Sequence, residues 1–193
     1  MTTGRMNITL IRYSKTNPTA SIPIRQWGLT DEGIELAIKL SQSELITSLD
    51  VLYSSLQTKA LETALILAKP HGLEIKTHPG LDEVTSFTRK FLGDEFEKVT
   101  HDFYSEKIER ISEGETWREA LKRFNATIDS IVAKEKVLHH ENIGLVSHGN
   151  ILSFFTSLYT GKEAYLWHKK ITMPDVAVFD WNNKKFQVFW GQN

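Results

Sequence analysis

Short apolar runs alternate along this chain with stretches in which apolar residues return every three or four positions, the pattern of strands followed by helices in an α/β fold. Asn7–Arg12 (NITLIR) reads as a buried strand, and a loop holding Asn17, Pro18 and Pro23 follows it. Thr30 stands as an N-cap, with Asp31 and Glu32 in a first turn that favours acidic side chains. The helix after it predicts one apolar face from Ile34, Ala37, Ile38 and Leu45. Residues 51–53 (VLY) form a second strand. Ser54 or Ser55 then caps a helix in which Leu61, Ala64, Leu65 and Ala68 share helical spacing, and Pro70 ends it.

Residues 73–77 read as a third strand. From 79 to about 114 the polarity is mixed, and in an α/β unit such a stretch reads as an insertion or lid over the carboxyl edge of the sheet. Residues 116–136 give the clearest helix, with Trp117, Ala120, Leu121, Phe124, Ile128, Ile131 and Val132 on one face. Residues 143–147 (IGLVS) make a fourth strand, and His148-Gly149 turns the chain into a helix carrying Ile151, Phe154, Phe155 and Leu158, closed by Gly161. Residues 176–181 and 185–190 flank Asn182-Asn183 as a hairpin. The expected architecture is one domain over 1–193: a three-layer α/β/α sandwich with a mainly parallel central sheet and a C-terminal hairpin.

Composition narrows the function. A chain of 193 residues, 40% hydrophobic and 24% charged, suits one globular domain with a sizeable core. The net charge of -1 gives no global pull toward nucleic acid or an anionic membrane. The absence of cysteine excludes disulfides, thiol catalysis and thiolate metal sites. The N-terminal residues MTTGRMNITLIRYSK lack an apolar run of signal-peptide length, and nowhere do about 18 apolar residues run together, so the reading is a cytoplasmic chain with no membrane partner. Lys134, Lys136, Lys169, Lys170, Lys184 and Lys185 have no interleaved aromatics, which argues against a nucleic-acid partner. His139 and His140 point apart at a helix end and read as a solvated turn rather than a metal site. His71, His78, His101 and His168 have no spacing partner and read as surface residues.

The candidate chemistry lies at strand ends, beyond which open α/β sheets bind ligands. One strand ends in Arg12-Tyr13-Ser14, another in Ser54-Ser55 with Lys59 a helical turn on, and a third in Ser147-His148-Gly149. Two of these loops feed helix N-termini, whose amides and dipole favour anions. Arg12, Lys59 and His148 therefore have the means to converge on one phosphate.

The ordered series of motifs resembles the histidine phosphatase superfamily in its phosphoglycerate-mutase-like branch. Leu10-Ile11-Arg12-Tyr13-Ser14-Lys15-Thr16 stands where that family has its opening Arg-His-Gly motif. Leu29-Thr30-Asp31-Glu32-Gly33 is similar to its Leu-Thr-x-x-Gly helix start, and Tyr53-Ser54-Ser55 with Lys59-Ala60 and Thr63-Ala64 to its Ser-Ser-x-x-x-Arg-Ala-x-x-Thr-Ala segment. Leu81-Asp82-Glu83, Gly114-Glu115 and Val146-Ser147-His148-Gly149 complete the series. The resemblance implies a histidine nucleophile, two arginines and a second histidine on the phosphoryl oxygens, and a carboxylic acid that protonates the leaving group. Carried over, Arg12 and His148 become clamp residues and Glu83 the acid, although its loop also allows a plain surface carboxylate. Lys59 stands at the second arginine and Tyr13 at the nucleophile. The resemblance implies neither cofactor nor metal.

The departures fall in one place. A free tyrosine has a pKa near 10, so roughly one molecule in 10³ is phenolate at neutral pH, and a phenyl ester lacks the labile P–N bond of phosphohistidine. Ser14 adds bulk where the family has glycine. Lys59 keeps the charge but loses the two-pronged grip of arginine. The expectation is a phosphate-binding pocket of Arg12, Ser14, Lys59 and His148 around a degenerate catalytic set of Tyr13, Glu83 and His148. Such a protein is a weak or inactive phosphatase that binds a small phosphorylated molecule. The alternatives are a working phosphomonoesterase with an atypical nucleophile and a non-catalytic interaction module; a homodimer is left open.

Overall fold

The computed structural model describes residues 5–89 and 91–191; residues 1–4, Lys90 and 192–193, which fall within the expected domain and lid, lie outside the described residues. The strands are β1 (Asn7–Arg12), β2 (Val51–Ser54), β3 (Ile75–Thr77), β4 (Asn142–Ser147), β5 (Asp175–Asp180) and β6 (Lys185–Val188), and the helices α1 (Asp31–Ser41), α2 (Glu44–Thr47), α3 (Thr58–Ala68), α4 (Phe96–Tyr104), α5 (Trp117–Val137), α6 (Gly149–Thr160) and α7 (Ala164–Lys170). The strands form one sheet in the order β3-β2-β4-β1-β5-β6. The first four run parallel, β5 runs antiparallel to β1, and β6 pairs back on β5 as the hairpin.

Side-chain alternation along each strand divides the core between two helical layers. Leu10, Leu145 and Tyr53 are level across the sheet and pack with Phe124 and Ile128 of α5 and Ile151 and Phe155 of α6. One residue on, Ile11 and Val146 face the other way, where Ala60, Ala64 and Leu67 of α3 cover them. The expected cap at Thr30 forms, its Oγ1 accepting from the Gly33 amide at 3.0 Å, and α5 opens on a reciprocal capping box of Thr116 and Glu119.

Several expectations are corrected. In α1 the buried residues are Gly33, Ala37 and Ser41, while Ile34 and Ile38 are exposed and Leu45 belongs to α2. The reason is close approach: a Cβ on Gly33 would lie 2.2 Å from the Lys15 carbonyl oxygen, so α1 docks through its small residues and turns the bulky ones outward. Leu65 and Leu158 are likewise exposed. Neither Ser54 nor Ser55 caps α3; Gln57 holds that position, and Ser55 Oγ accepts from its amide at 3.1 Å. His140 is not a solvated turn residue, for its Nδ1 lies 2.7 Å from the buried carboxylate of Glu135.

The stretch 79–114 contains three short 3-10 turns and α4. Its carbonyls find a partner in Arg123 of α5, whose Nη1 donates to Gly80 and Asp82 at 2.7 and 3.1 Å while Nη2 reaches Glu115 at 2.5 Å. No described helix is long and apolar enough to cross a membrane.

Candidate functional site

Because β2, β4 and β1 are neighbours, their carboxyl ends open onto one edge. Arg12 is level with Ser147, and the Tyr13 amide donates to the Ser147 carbonyl at 3.1 Å, which sets Arg12, Tyr13 and His148 side by side. Lys59 enters from the first turn of α3. From the Tyr13 ring centroid, Lys59 Nζ is 5.2 Å away, the His148 ring centroid 5.3 Å and Arg12 Cζ 5.8 Å. These groups, with Glu83 and Asn150, border a cavity of about 370 Å³.

Arg12 donates from Nη1 to the Ile171 carbonyl at 2.6 Å, and its buried Nε has no partner among the described residues. The guanidinium lies against the start of α6, where a Cβ on Gly149 would sit 2.9 Å from Cζ. Only glycine leaves that space. Lys59 is buried, donates to the Ile24 carbonyl at 3.1 Å and lies 5.3 Å from the Trp27 ring centroid. Burial brings its ammonium down to about 8, with the charges of Arg25 and Arg12 adding to the effect and Glu83 and Asp82 opposing it.

A hydrogen-bonded chain decides the state of His148. Arg25 holds one oxygen of Asp82 at 2.5 Å, and Ser55 Oγ lies 2.6 Å from the other. A carboxylate only accepts, so the serine donates to it and its oxygen accepts from His148 Nε2 at 2.7 Å. His148 therefore carries its proton on Nε2, leaving Nδ1 with a lone pair, buried and unpartnered among the described residues. Burial, then the nearby Lys59 and Arg12, hold its pKa well below the usual histidine range. The ring is therefore neutral.

Glu83 is buried at the pocket wall, not on the surface. One oxygen accepts from the Val84 and Ile151 amides at 2.9 and 3.0 Å, the other from the Asn150 amide and side chain at 3.1 and 3.0 Å. The Asn150 and Ile151 amides of α6 are thus engaged by Glu83 rather than free for a ligand. Burial pushes the carboxyl above its ordinary range against these donors. Burial also raises the Tyr13 phenol, outweighing the pull of Arg12, so the cationic surroundings do not make it a phenolate at neutral pH.

Ser14 is the candidate that the fold takes elsewhere. Its hydroxyl donates to the Gly33 carbonyl at 2.6 Å and its amide to Thr63 Oγ1 at 3.0 Å, so it ties the loop to α1 and α3 and does not line the cavity. Sequence reasoning missed Arg25, Ser55, Asp82, Asn150 and His168 as parts of the site. Ser55 and Asp82 stood inside the quoted motifs, so a signal existed for them; for Arg25 there was none. His168, expected on the surface, lines the cavity, and burial brings its imidazole down to about 4.

The sequence profile of the histidine phosphatase superfamily (branch 1) matches residues 8–192. A protein of Hydrogenobacter thermophilus, named as a candidate phosphoserine phosphatase, is 25% identical over 135 residues, 69% of this chain; the match spans just under two thirds of that relative, 66% of its length. The structure of phosphoglycerate mutase from Bacillus anthracis superposes with a TM-score of 0.74 at 19% identity, covering 97% of this chain and 92% of that one. A variant phosphoserine phosphatase from Entamoeba histolytica, solved with phosphoserine, gives 0.71 at 22% identity and 97% of both chains. With its profile matched from β1 to beyond β6 and the same fold in these neighbours, the chain belongs to branch 1 of the histidine phosphatase superfamily.

Proposed function

We propose that this protein binds a small phosphorylated molecule in the cavity bordered by Arg12, Lys59 and His148, and that Tyr13 at the nucleophile position leaves it a weak or inactive phosphatase. The observation that carries this reading is the ring of three basic groups within 5.8 Å of the centre of a phenol whose proton burial retains. Arg12 brings an unpartnered Nε–H and Lys59 an ammonium for the phosphoryl oxygens. A dianion beside His148 favours a proton on Nδ1, which turns the neutral ring into a third donor. Fold neighbours and the curated relative named for phosphoserine support a small phosphorylated ligand. The stretch 79–114 acts as the wall or lid, since Glu83, Phe87, Phe91 and Phe96 of that stretch line the cavity.

Tyr13 attacks poorly for two reasons. Its hydroxyl stays neutral, and a tyrosyl phosphate would not turn over as a phosphoramidate does. A second reading, a working phosphomonoesterase, draws on Glu83, whose raised pKa suits an acid. Hydrolysis of an activated aryl phosphate separates the two. The wild type is expected to fall several orders of magnitude below the ordinary enzyme range of about 1–10³ s⁻¹, and Tyr13→His to gain turnover together with an acid-labile, base-stable phosphoenzyme. Wild-type turnover inside that range, abolished by Tyr13→Phe, favours the second reading.

A further inference from the structure

We propose that the cavity selects phosphomonoesters of apolar, ring-bearing alcohols over those of charged ones such as hydroxy amino acids or hydroxy acids. This rests on the reading of Arg12, Lys59 and His148 as the phosphate end and concerns the remainder of the ligand. Beyond that end the walls are Ile24, Trp27, Phe87, Phe91, Phe96 and Met173.

Two features make these walls a recognition surface rather than a gap in the core. Phe91 is 40% exposed and Phe96 45% exposed, so large apolar faces stand open at the rim, where covering them with an apolar ligand is favourable. Trp27 is fixed in place: its indole nitrogen donates to the Thr19 carbonyl at 3.0 Å, and its ring meets Phe91 edge-on at 6.0 Å between centroids. With its nitrogen engaged, the indole offers a ligand its apolar surface.

Among the described residues, the walls also lack what a charged alcohol needs. Among the described lining residues, the ionised groups Arg12, Lys59 and Glu83 sit at the phosphate end, and burial keeps the His168 imidazole neutral. An ammonium or carboxylate on the ligand body would lose its water without gaining a counter-charge. A ring loses nothing there.

The test is calorimetric titration with three phosphonates that cannot be hydrolysed: methylphosphonate, benzylphosphonate and 2-amino-4-phosphonobutyrate. Benzylphosphonate is expected to bind at least about tenfold more tightly than methylphosphonate, the gain from burying one ring, and the amino acid no more tightly than methylphosphonate. Phe91→Ala, at an exposed position that tolerates truncation, is expected to bring the benzyl-to-methyl ratio below about threefold, and Phe96→Ala repeats the test should the first variant not fold. Equal affinity for benzyl- and methylphosphonate, with both lost in Arg12→Ala, overturns this inference and leaves the phosphate end standing. Tightest binding of the amino acid also overturns it. Failure of all three to bind removes both readings.

Discussion

Lys59 titrates within reach of neutral pH because burial has brought its ammonium down to about 8. The sign follows directly: below that value it is a cation and attracts an anion, above it the attraction fades. Sulfate, a dianion throughout, is the suitable probe. Its affinity is expected to fall between about pH 7 and about pH 9 in the wild type and to stay level in Lys59→Arg, whose guanidinium keeps its charge. A level wild-type profile would remove Lys59 from the site. Ser14 yields a prediction of the opposite kind. Its hydroxyl is committed to the Gly33 carbonyl, so Ser14→Gly adds no room for a ligand and loses a buried hydrogen bond worth about 1 kcal/mol. Tyr13→His alone is therefore expected to match the turnover of Tyr13→His with Ser14→Gly, and the double variant to melt at a lower temperature.

At the scale of elements, two glycines show how packing divides between fold and site. A Cβ on Gly33 meets backbone, the Lys15 carbonyl oxygen at 2.2 Å; a Cβ on Gly149 meets the flexible end of Arg12. Gly33→Ala is expected to cost stability by lifting α1 off the loop after β1. Gly149→Ala is expected to leave the melting temperature nearly unchanged and weaken phosphate binding, because the guanidinium gives way instead of the backbone. Thermal melts and calorimetry on both variants check this crossing of effects, and equal losses of stability would contradict it. The strands and the long helix α5 were legible in the sequence because each is a run whose period matches its environment, and α5 carries its own capping box. The faces of α1 and α3 were not. Their buried positions are the small Gly33, Ala37, Ala60 and Ala64, and periodicity weighs small residues less than Ile34, Ile38 or Leu65. Residues 79–114 were opaque for another reason: their opening turn is held by Arg123, which is 43 and 41 positions away from the Gly80 and Asp82 carbonyls it caps.

In the whole molecule, one buried carboxylate ties the far end of the helical layer to the sheet edge. Glu135 of α5 accepts from the Tyr53 hydroxyl of β2 at 2.5 Å and from Lys76 of β3 at 3.1 Å, and His140 lies 2.7 Å from its other oxygen. Burial alone would raise its pKa, but these hydrogen bonds and Lys76 outweigh burial and hold it below the ordinary value. A carboxyl depressed in this way stabilises the fold above the usual carboxylate pKa and loses that contribution as pH falls through its own lower value. Glu135→Gln is expected to lower the melting temperature at neutral pH and to soften the further loss on acidification; an unchanged acid limb would assign that limb to other groups. None of this network was visible in the sequence, since Tyr53, Lys76 and Glu135 carry no local signal and meet only through topology. The site was partly visible for the same reason in reverse: Arg12, Lys59, Glu83 and His148 stand inside motifs, at a strand end, at helix starts and in the loop after Leu81, whereas Arg25 and His168 enter from a loop and a helix that carry no motif.

The central claim is that a phosphate site survives around Tyr13. Calorimetric titration of inorganic phosphate into the wild type and Arg12→Ala at neutral pH tests it most directly. Binding in the micromolar to millimolar range, about -8 to -4 kcal/mol, lost or weakened at least about tenfold in the variant, is the result the account predicts. No heat in the wild type, or heat that Arg12→Ala leaves unchanged, would contradict it.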